Sequence, residues 1–148
     1  MSALGWAAAL SEILVDAGPL IGGFDTSDKW HEECSALLET LPGPLIVPAT
    51  IVAEVCYMID SHRFGSAAEA RFLRSFVDTD LVVGNFERED FERMAQLVEQ
   101  YADFPLSGSD ASVIALAERL NITTILTLDH RHFAAVRPKH SGSFTLLP

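Results

Sequence analysis

The chain has 148 residues, of which 49% are hydrophobic and 21% are charged, a composition that fits one globular domain and excludes a disordered or fibrous protein. Its net charge of −11 argues against binding of nucleic acid by bulk electrostatics, and no apolar run reaches the roughly 18 residues of a membrane helix. Only two cysteines occur, Cys34 and Cys56, and they form no C-x-x-C motif, which argues against a disulfide framework or a thiolate zinc site.

The first eleven residues are apolar and contain no Lys or Arg, so they lack the basic region that opens a signal peptide. We interpret residues 1–11 as an N-terminal extension of a single domain that spans residues 1–148. No linker or internal repeat divides the chain. We therefore expect a cytoplasmic protein that does not associate with a membrane.

Short apolar strands alternate with amphipathic helices along the rest of the chain. Ser66 and Glu69 form a capping-box pattern, which indicates that one helix begins at Ser66. In chain order, we predict a strand over 12–16, a helix over 27–40, a strand over 45–47, helices over 49–60 and 66–76, a strand over 81–83, helices over 90–100 and 109–120, a strand over 124–128 and a fifth strand over 143–147.

This alternation is typical of βα units that build a parallel sheet covered by helices on both faces. In such sheets, ligands bind beyond the carboxyl ends of the strands. Asp16 ends the first predicted strand and Asp129 ends the fourth, so we expect both carboxylates at that edge. Each Asp also has an ordinary interpretation, because aspartate is common in turns that follow strands.

Two further acids occupy unusual positions on predicted helices. Glu54 lies on the same face of its predicted helix as Ile51, Val55 and Met58. Burial of a carboxylate on such an apolar face costs free energy unless the group is paired or bound to a metal. The alternative is that Glu54 lies at the edge of this face and reaches solvent. Asp110 opens its helix, where it could act as a capping residue, but its position also allows the side chain to point inward.

Taken together, the four acids have one shared explanation. Carboxylates that converge repel one another and cannot all ionise without a cation. Oxygen ligands without cysteine or histidine suit Mg²⁺ or Mn²⁺, and a metal site of this kind supports hydrolysis of a phosphodiester. The sequence therefore predicts a metal-dependent nuclease.

Four segments resemble the PIN-domain family, and most closely the VapC-type toxins of bacterial toxin–antitoxin pairs. The match covers the chain from Glu12 to its end, in the order and spacing of the family. The segments are ILVDAGPL (13–20), VPATIVAEV (47–55), YADFPLSGSDAS (101–112) and TLDHRHF (127–133).

The resemblance implies a three-layer α/β/α fold with a central parallel sheet of four to five strands. It also implies an endoribonuclease that depends on Mg²⁺, with Mn²⁺ as an alternative, and that inhibits translation by cleaving structured RNA such as tRNA or rRNA. The expected partners are the RNA substrate, a cognate VapB-type antitoxin whose C-terminal segment enters the active-site groove, and a second copy of the chain in a homodimer.

By motif position, Asp16, Glu54, Asp110 and Asp129 match the acidic quartet of the family, which implies that they are catalytic and bind the metal. Asp103 matches a frequent additional acid and is a further candidate ligand. The sequence departs from many relatives at positions 17 and 18, where Ala and Gly follow the first Asp instead of a Thr or Ser. Ser112 and Thr127 are candidates to orient the ligands, or they are ordinary helix and strand hydroxyls.

An acidic nuclease needs local positive charge to hold RNA, and the segment after Asp129 supplies it. This segment contains no acid, and it contains the four residues that we assign to phosphate contacts, namely Arg131, His132, Arg137 and Lys139. The alternative is a solvated terminus. His130 and His132 lack an obvious third ligand, so a structural or solvent-facing role is favoured over a transition-metal site.

Three other readings compete with the nuclease. A PIN-like module without catalytic activity could bind RNA or a partner, but it would have no reason to keep four repelling acids. An aspartyl-phosphate phosphatase needs a second Asp where Gly18 stands. A receiver domain needs a lysine near the last strand, and Lys139 lies too far into the tail.

Overall fold

The computed structural model describes residues 12–62 and 64–148. These residues form a five-stranded parallel sheet flanked by helices, which confirms the predicted fold class. The strands are β1 (Ile13–Val15), β2 (Leu45–Pro48), β3 (Leu81–Gly84), β4 (Thr124–Leu126) and β5 (Thr145–Leu147). Their order across the sheet is β3-β2-β1-β4-β5. The extension predicted over residues 1–11 lies outside the described residues.

Seven helices occur in the described ranges, and none is long and apolar enough to cross a membrane. They are α1 (Ala17–Phe24), α2 (His31–Thr40), α3 (Ala49–Ser61), α4 (Ser66–Asp78), α5 (Arg88–Gln100), α6 (Gly108–Leu120) and α7 (His130–Ala135). Helix α1 packs against α2 and α3, α3 packs against α4, and α5 packs against α6. The central strands are almost wholly apolar because helices cover the sheet. Leu14, Val15 and Val47 are fully buried, as are Ile125 and Leu126.

The strand order places a topological switch at the centre of the sheet. From β1 the chain moves outward to β2 and β3, and it then returns to β4 on the opposite side of β1. In open α/β sheets the crevice at such a point is where ligands bind. Asp16 directly follows β1 and Thr127 directly follows β4, so the switch lies at the two strand ends that the sequence singled out.

Two helices were not predicted, and both begin at an acid that we had placed at the end of a strand, with a turn as the alternative. Asp16 is the N-cap of α1 and Asp129 is the N-cap of α7. In α1, Pro19 is tolerated because the first backbone N–H groups of a helix have no partner within it. The predicted capping box at Ser66 was wrong: Gly65 flanks α4 with φ of 89°, a conformation that favours glycine, and no side chain caps the helix.

Candidate metal centre

Asp16 lies at the junction between β1 and α1, and its side chain is held from two directions. Its Oδ1 accepts a hydrogen bond from the backbone N–H of Ala17 at 2.9 Å, and its Oδ2 accepts one from the hydroxyl of Thr127 at 2.9 Å. Burial, together with the charges of Asp110 and Glu54, raises the pKa of Asp16 to about 6 despite these hydrogen bonds. The carboxylate is therefore ordered in an environment that disfavours its charge.

Asp110 lies in the first turn of α6, but it does not cap the helix. Ser107 is the N-cap, and its hydroxyl accepts the backbone N–H of Asp110 at 3.0 Å. Burial raises the pKa of Asp110, and the charge of Asp129 acts in the same direction. Hydrogen bonds with Ser107 oppose this rise in the pKa, so the acid also supports the first turn of the helix, as the capping interpretation allowed.

Asp129 caps α7 and is paired with a histidine one turn later. Its Oδ1 accepts the backbone N–H of His132 at 3.2 Å, and the ring Nδ1 of His132 donates to Oδ1 at 2.8 Å and to Oδ2 at 2.7 Å. The hydroxyl of Thr127 accepts the backbone N–H of Asp129 at 3.0 Å. Thr127 thus links the carboxylate of Asp16 to the backbone of Asp129, a contact that is compatible with the orienting role among the two alternatives.

Glu54 lies on the second turn of α3, and it is half-buried at the boundary between the core and solvent. Its Oε2 accepts a hydrogen bond from the hydroxyl of Ser109 at 2.8 Å. Ser112, the other predicted orienting residue, is fully buried; it bonds to the hydroxyl of Thr50 and the carbonyl of Ser109 instead of to a carboxylate. Ser112 therefore acts on Glu54 only through the position of Ser109.

The structure brings all four acids of the predicted quartet to one cavity of about 370 Å³ at the switch point. Its lining consists of Asp16, Ala17, Gly18, Glu54, Met58, Asp110, Leu128 and Asp129. A larger cavity of about 500 Å³ lies beside β3, and the only carboxylate in its lining is that of Asp80. This cavity therefore offers fewer ligands for a cation. Asp103 is exposed and is absent from the lining of the acidic cavity.

The donor set of this cavity fits a divalent cation. One ligand atom each from Asp110, Asp129 and His132 lies within 4.8 Å of the other two. Burial raises the pKa of Asp16 and of Asp110, and the charge of a neighbouring acid raises each of them too, so a positive ion at this position would favour their ionised forms. Carboxylate oxygens suit Mg²⁺ and Mn²⁺, and an adjacent imidazole is compatible with Mn²⁺ and other transition ions.

The residues predicted to contact RNA are spread over two regions. Arg131 is exposed on α7 next to the acidic cavity, with its guanidinium carbon 5.3 Å from the centre of the Phe104 ring. Lys139 lies elsewhere, because its backbone N–H binds Glu118 near the C-terminal end of α6 at 2.7 Å. Asp110 and Glu118 are eight residues apart on that helix, or roughly 12 Å. Arg137 is exposed, and its backbone N–H binds the hydroxyl of Tyr101 at 3.1 Å.

Sequence reasoning missed two residues of the site. We assigned His132 to phosphate contacts and did not predict that its ring lies against Asp129. The sequence signal for this contact is the spacing of three residues between His132 and an aspartate that caps a helix. Ser109 was not singled out, because its hydrogen bond to Glu54 joins residues 55 positions apart in the chain. No local pattern marks a contact of that kind.

Comparison with known proteins places this architecture among characterised relatives. The sequence model for the PIN domain matches residues 13–138. Ribonuclease VapC26 of Mycobacterium tuberculosis (strain ATCC 25618 / H37Rv) is 33% identical over 136 residues, which cover 92% of this chain and 100% of that protein.

Three solved structures have similar folds. Mycobacterium tuberculosis VapC20, described as a sarcin-ricin loop cleaving toxin, has a TM-score of 0.70 at 17% identity, covering 76% of this chain and 86% of that one. A toxin–antitoxin complex from Klebsiella pneumoniae has a TM-score of 0.65 at 22% identity, with coverage of 84% and 92%. VapBC2 from Rickettsia felis, bound to a promoter DNA fragment, has a TM-score of 0.66 at 12% identity, with coverage of 91% and 96%.

Proposed function

Because this chain belongs to the PIN-domain family and is homologous to VapC ribonuclease toxins, we propose that it is a divalent-metal-dependent endoribonuclease that serves as the toxin of a toxin–antitoxin pair. The observation that carries this proposal is the convergence of Asp16, Glu54, Asp110 and Asp129 on one cavity at the switch point of the sheet. Carboxylates with raised pKa values at that position are the arrangement that a hard divalent cation stabilises.

In this proposal, Asp16, Asp110 and Asp129 hold Mg²⁺ or Mn²⁺, and Glu54 orients the attacking water or contributes to a second ion. These residues would hold a cation that, when bound, would supply activation of a water and neutralisation of charge on the phosphodiester. Thr127 fixes the carboxylate of Asp16, and Ser109 fixes that of Glu54, so neither acid needs to reorganise when the substrate binds. Asp103 does not line the acidic cavity, so it stays a further candidate outside the proposed ligand set.

The proposed substrate is a structured RNA, either tRNA or rRNA, whose cleavage inhibits translation. VapC26 is a ribonuclease and VapC20 is described as cleaving the sarcin-ricin loop, which supports this substrate class. Arg131 is placed to contact a phosphate of an RNA bound at the acidic cavity, since it is exposed on the helix that Asp129 caps. Arg137 and Lys139 lie further from the four acids, so the argument that they contact the phosphates of this RNA is weaker.

The proposed partners are a VapB-type antitoxin and a second copy of this chain. The structures from Klebsiella pneumoniae and Rickettsia felis are of toxins with their antitoxins, which supports such a partner here. A basic antitoxin segment, led by an arginine, would pair with the carboxylates of the cavity and compete with the metal. We further propose that residues 1–148 contain this one nuclease domain.

Incubation of total RNA with the purified protein, in the presence of Mg²⁺, Mn²⁺ or EDTA, tests the activity. We expect discrete fragments that require the metal, that disappear with Asp16→Asn and that persist with Asp60→Asn, a matched control on the exposed face of α3. Mapping of the fragment ends then identifies the target RNA.

Two results would contradict the proposal. Fragments that persist in EDTA and in Asp16→Asn would indicate a contaminating nuclease or a different active site. If no fragments form under any metal and the protein binds no Mn²⁺, the chain is a binding module without catalytic activity.

A further inference from the structure

His132 lies beside the acidic cavity, next to Asp110 and Asp129, and the proposed reaction does not explain its contacts. Its ring Nδ1 donates to both carboxylate oxygens of Asp129, at 2.8 and 2.7 Å, and its backbone N–H donates to one of them at 3.2 Å. An ionised carboxylate can only accept hydrogen bonds, so Nδ1 carries the hydrogen in this contact. The ring is one-quarter exposed and Asp129 is 39% exposed, so the contact lies at the mouth of the cavity.

The imidazole ring is itself held in place by an aromatic neighbour. The ring centres of His132 and Phe104 are 5.1 Å apart with an interplanar angle of 56°. Phe104 also contacts the guanidinium of Arg131. The loop before α6 and the helix after Asp129 are therefore joined through this ring, which limits the positions from which Nδ1 can donate.

Two of the other acids have their own dedicated donors. Asp16 has Ala17 and Thr127, and Glu54 has Ser109. For Asp129, the only side-chain donor in the described parts of the chain is His132. Without it, the Asp129 carboxylate would keep its N-cap contact with the backbone N–H of His132, at 3.2 Å, and would lose the contact that engages both of its oxygens.

We propose that His132 is a positioning residue, whose Nδ1–H fixes the orientation in which the Asp129 carboxylate faces the divalent cation and thereby sets the affinity of the site for that cation. This inference rests on the proposed metal-dependent activity. Groups that orient a metal ligand typically change metal affinity 10- to 100-fold when they are removed, which is the size of effect expected here.

The geometry excludes direct ligation by Nδ1, because both oxygens of Asp129 already engage this nitrogen. Direct ligation by Nε2 is the competing role, since a ring nitrogen of His132 lies within 4.8 Å of ligand atoms of Asp110 and Asp129. The Asn and Gln variants of His132 separate the two roles.

Titration of the purified full-length chain with Mn²⁺ in a calorimeter tests the inference without any activity measurement. We expect His132→Ala to bind Mn²⁺ about 10- to 100-fold more weakly than the wild type. His132→Asn should restore most of the affinity, because its side-chain amide nitrogen lies close to the position of Nδ1. His132→Gln should not, because its amide nitrogen lies near the position of Nε2.

His130→Ala is the matched control, since its ring binds the carbonyl of Thr127 and touches no carboxylate. We expect its Mn²⁺ affinity to equal that of the wild type. If His132→Ala fails to fold, comparison of the Asn and Gln variants, whose folding is checked by urea denaturation, still decides the question.

Wild-type affinity in both His132→Ala and His132→Gln would overturn the positioning role and leave the nuclease proposal intact. Equal losses in the Asn, Gln and Ala variants would also overturn it, because they would indicate that the imidazole ring itself is the ligand. Absence of Mn²⁺ binding by the wild-type chain, together with absence of RNA cleavage, would overturn the proposed function and this inference with it.

Discussion

Asp16 destabilises the metal-free protein whenever it is ionised. Because burial raises its pKa from 3.8 to about 6, the folded chain binds more protons than the unfolded chain between these two pH values. The free energy of unfolding therefore falls as the pH rises through this window, and it remains lower above pH 6. The negative charge that would bind a cation therefore lowers the free energy of unfolding of the metal-free protein.

Replacement of Asp16 by Asn should remove this cost. We expect the metal-free Asp16→Asn variant to be more stable than the wild type near pH 8, by about 1–3 kcal/mol, with the difference largely gone near pH 4. Urea denaturation in EDTA at the two pH values measures this, with Asp60→Asn as a control that shows no such gain. A variant that is less stable than the wild type near pH 8 would contradict the account of Asp16.

Arg131 is the cation that lies nearest to Asp129 in the chain among those we assigned to RNA. We expect Arg131→Ala to weaken RNA binding and to lower the dependence of the logarithm of affinity on the logarithm of salt concentration by about 1, the effect of losing one phosphate contact. The measurement is a binding titration at several salt concentrations in EDTA, which prevents cleavage. Lys139→Ala, near the far end of α6, should change neither quantity, and an equal effect of both variants would assign RNA binding to the whole segment.

Residues of the site could be predicted from the sequence where their position in a strand or helix brings them to the site. They could not be predicted where a contact forms only between distant segments of the folded chain. Asp16 and Asp129 end apolar strands, so their meeting at one edge follows from parallel pairing. Ser109 meets Glu54 only once α3 and α6 are in place, and no run of residues reveals that contact. The contact of His132 with Asp129 is local to α7, at a spacing of three residues, but it required the helix itself to be predicted.

At the scale of elements, the pairing of α5 with α6 depends on two ion pairs. Both Asp90 oxygens accept from the guanidinium Nε of Arg119, at 3.1 and 2.9 Å, and Glu118 accepts two hydrogen bonds from Arg93, at 2.6 and 3.0 Å. Asp90 is 4% exposed, so its charge requires this partner. The Nη2 of Arg119 also donates to the carbonyl of Asn85 at 2.6 Å, which ties the loop after β3 to α6.

Removal of Arg119 should leave the buried Asp90 carboxylate without its ion-pair partner, with the backbone N–H of Glu87 still donating to it at 2.8 Å. We expect Arg119→Ala to lower the free energy of unfolding by about 3 kcal/mol, as measured by urea denaturation near pH 7. Arg88→Ala, at the exposed start of α5, is the matched control and should be nearly neutral. A loss below about 1 kcal/mol in Arg119→Ala would mean that water or another cation compensates Asp90.

The elements themselves differ in how well the sequence reveals them. Long helices such as α3 and α6 were found within a residue or two of their ends, because their apolar residues recur at helical spacing over three turns or more. Helices α1 and α7 were missed. The first contains three glycines and a proline, and the second has only six residues, so each is specified by its capping aspartate and by packing instead of by a periodic pattern.

At the scale of the whole molecule, one helix presents an apolar face to solvent. Leu73 and Val77 lie one turn apart on α4 and are 46% and 82% exposed. The neighbouring edge strand β3 exposes Val82 and Val83. An apolar surface of this kind fits the proposed homodimer, because a second copy would remove it from water.

Introduction of charge on this face should prevent the two copies from associating. We expect Leu73→Asp combined with Val77→Asp to convert the dimer to a monomer, because the interface would bury unpaired carboxylates. Light scattering coupled to gel filtration measures the mass, and Leu73→Met combined with Val77→Ile serves as the control that keeps the dimer. A doubly charged variant with the mass of a dimer would place the interface elsewhere.

The pairing of β1 with β4 has a consequence for chains that fold incorrectly. Val15 is in register with Leu126, and Asp16 donates its backbone N–H to the carbonyl of Leu126 at 2.9 Å. Each strand has only three residues, so a slip of one position would set Asp16 beside a leucine and turn Thr127 to the other face. Correct registration is thus a condition of assembling the acidic cavity, and a misregistered copy would be harmless to the cell that makes it.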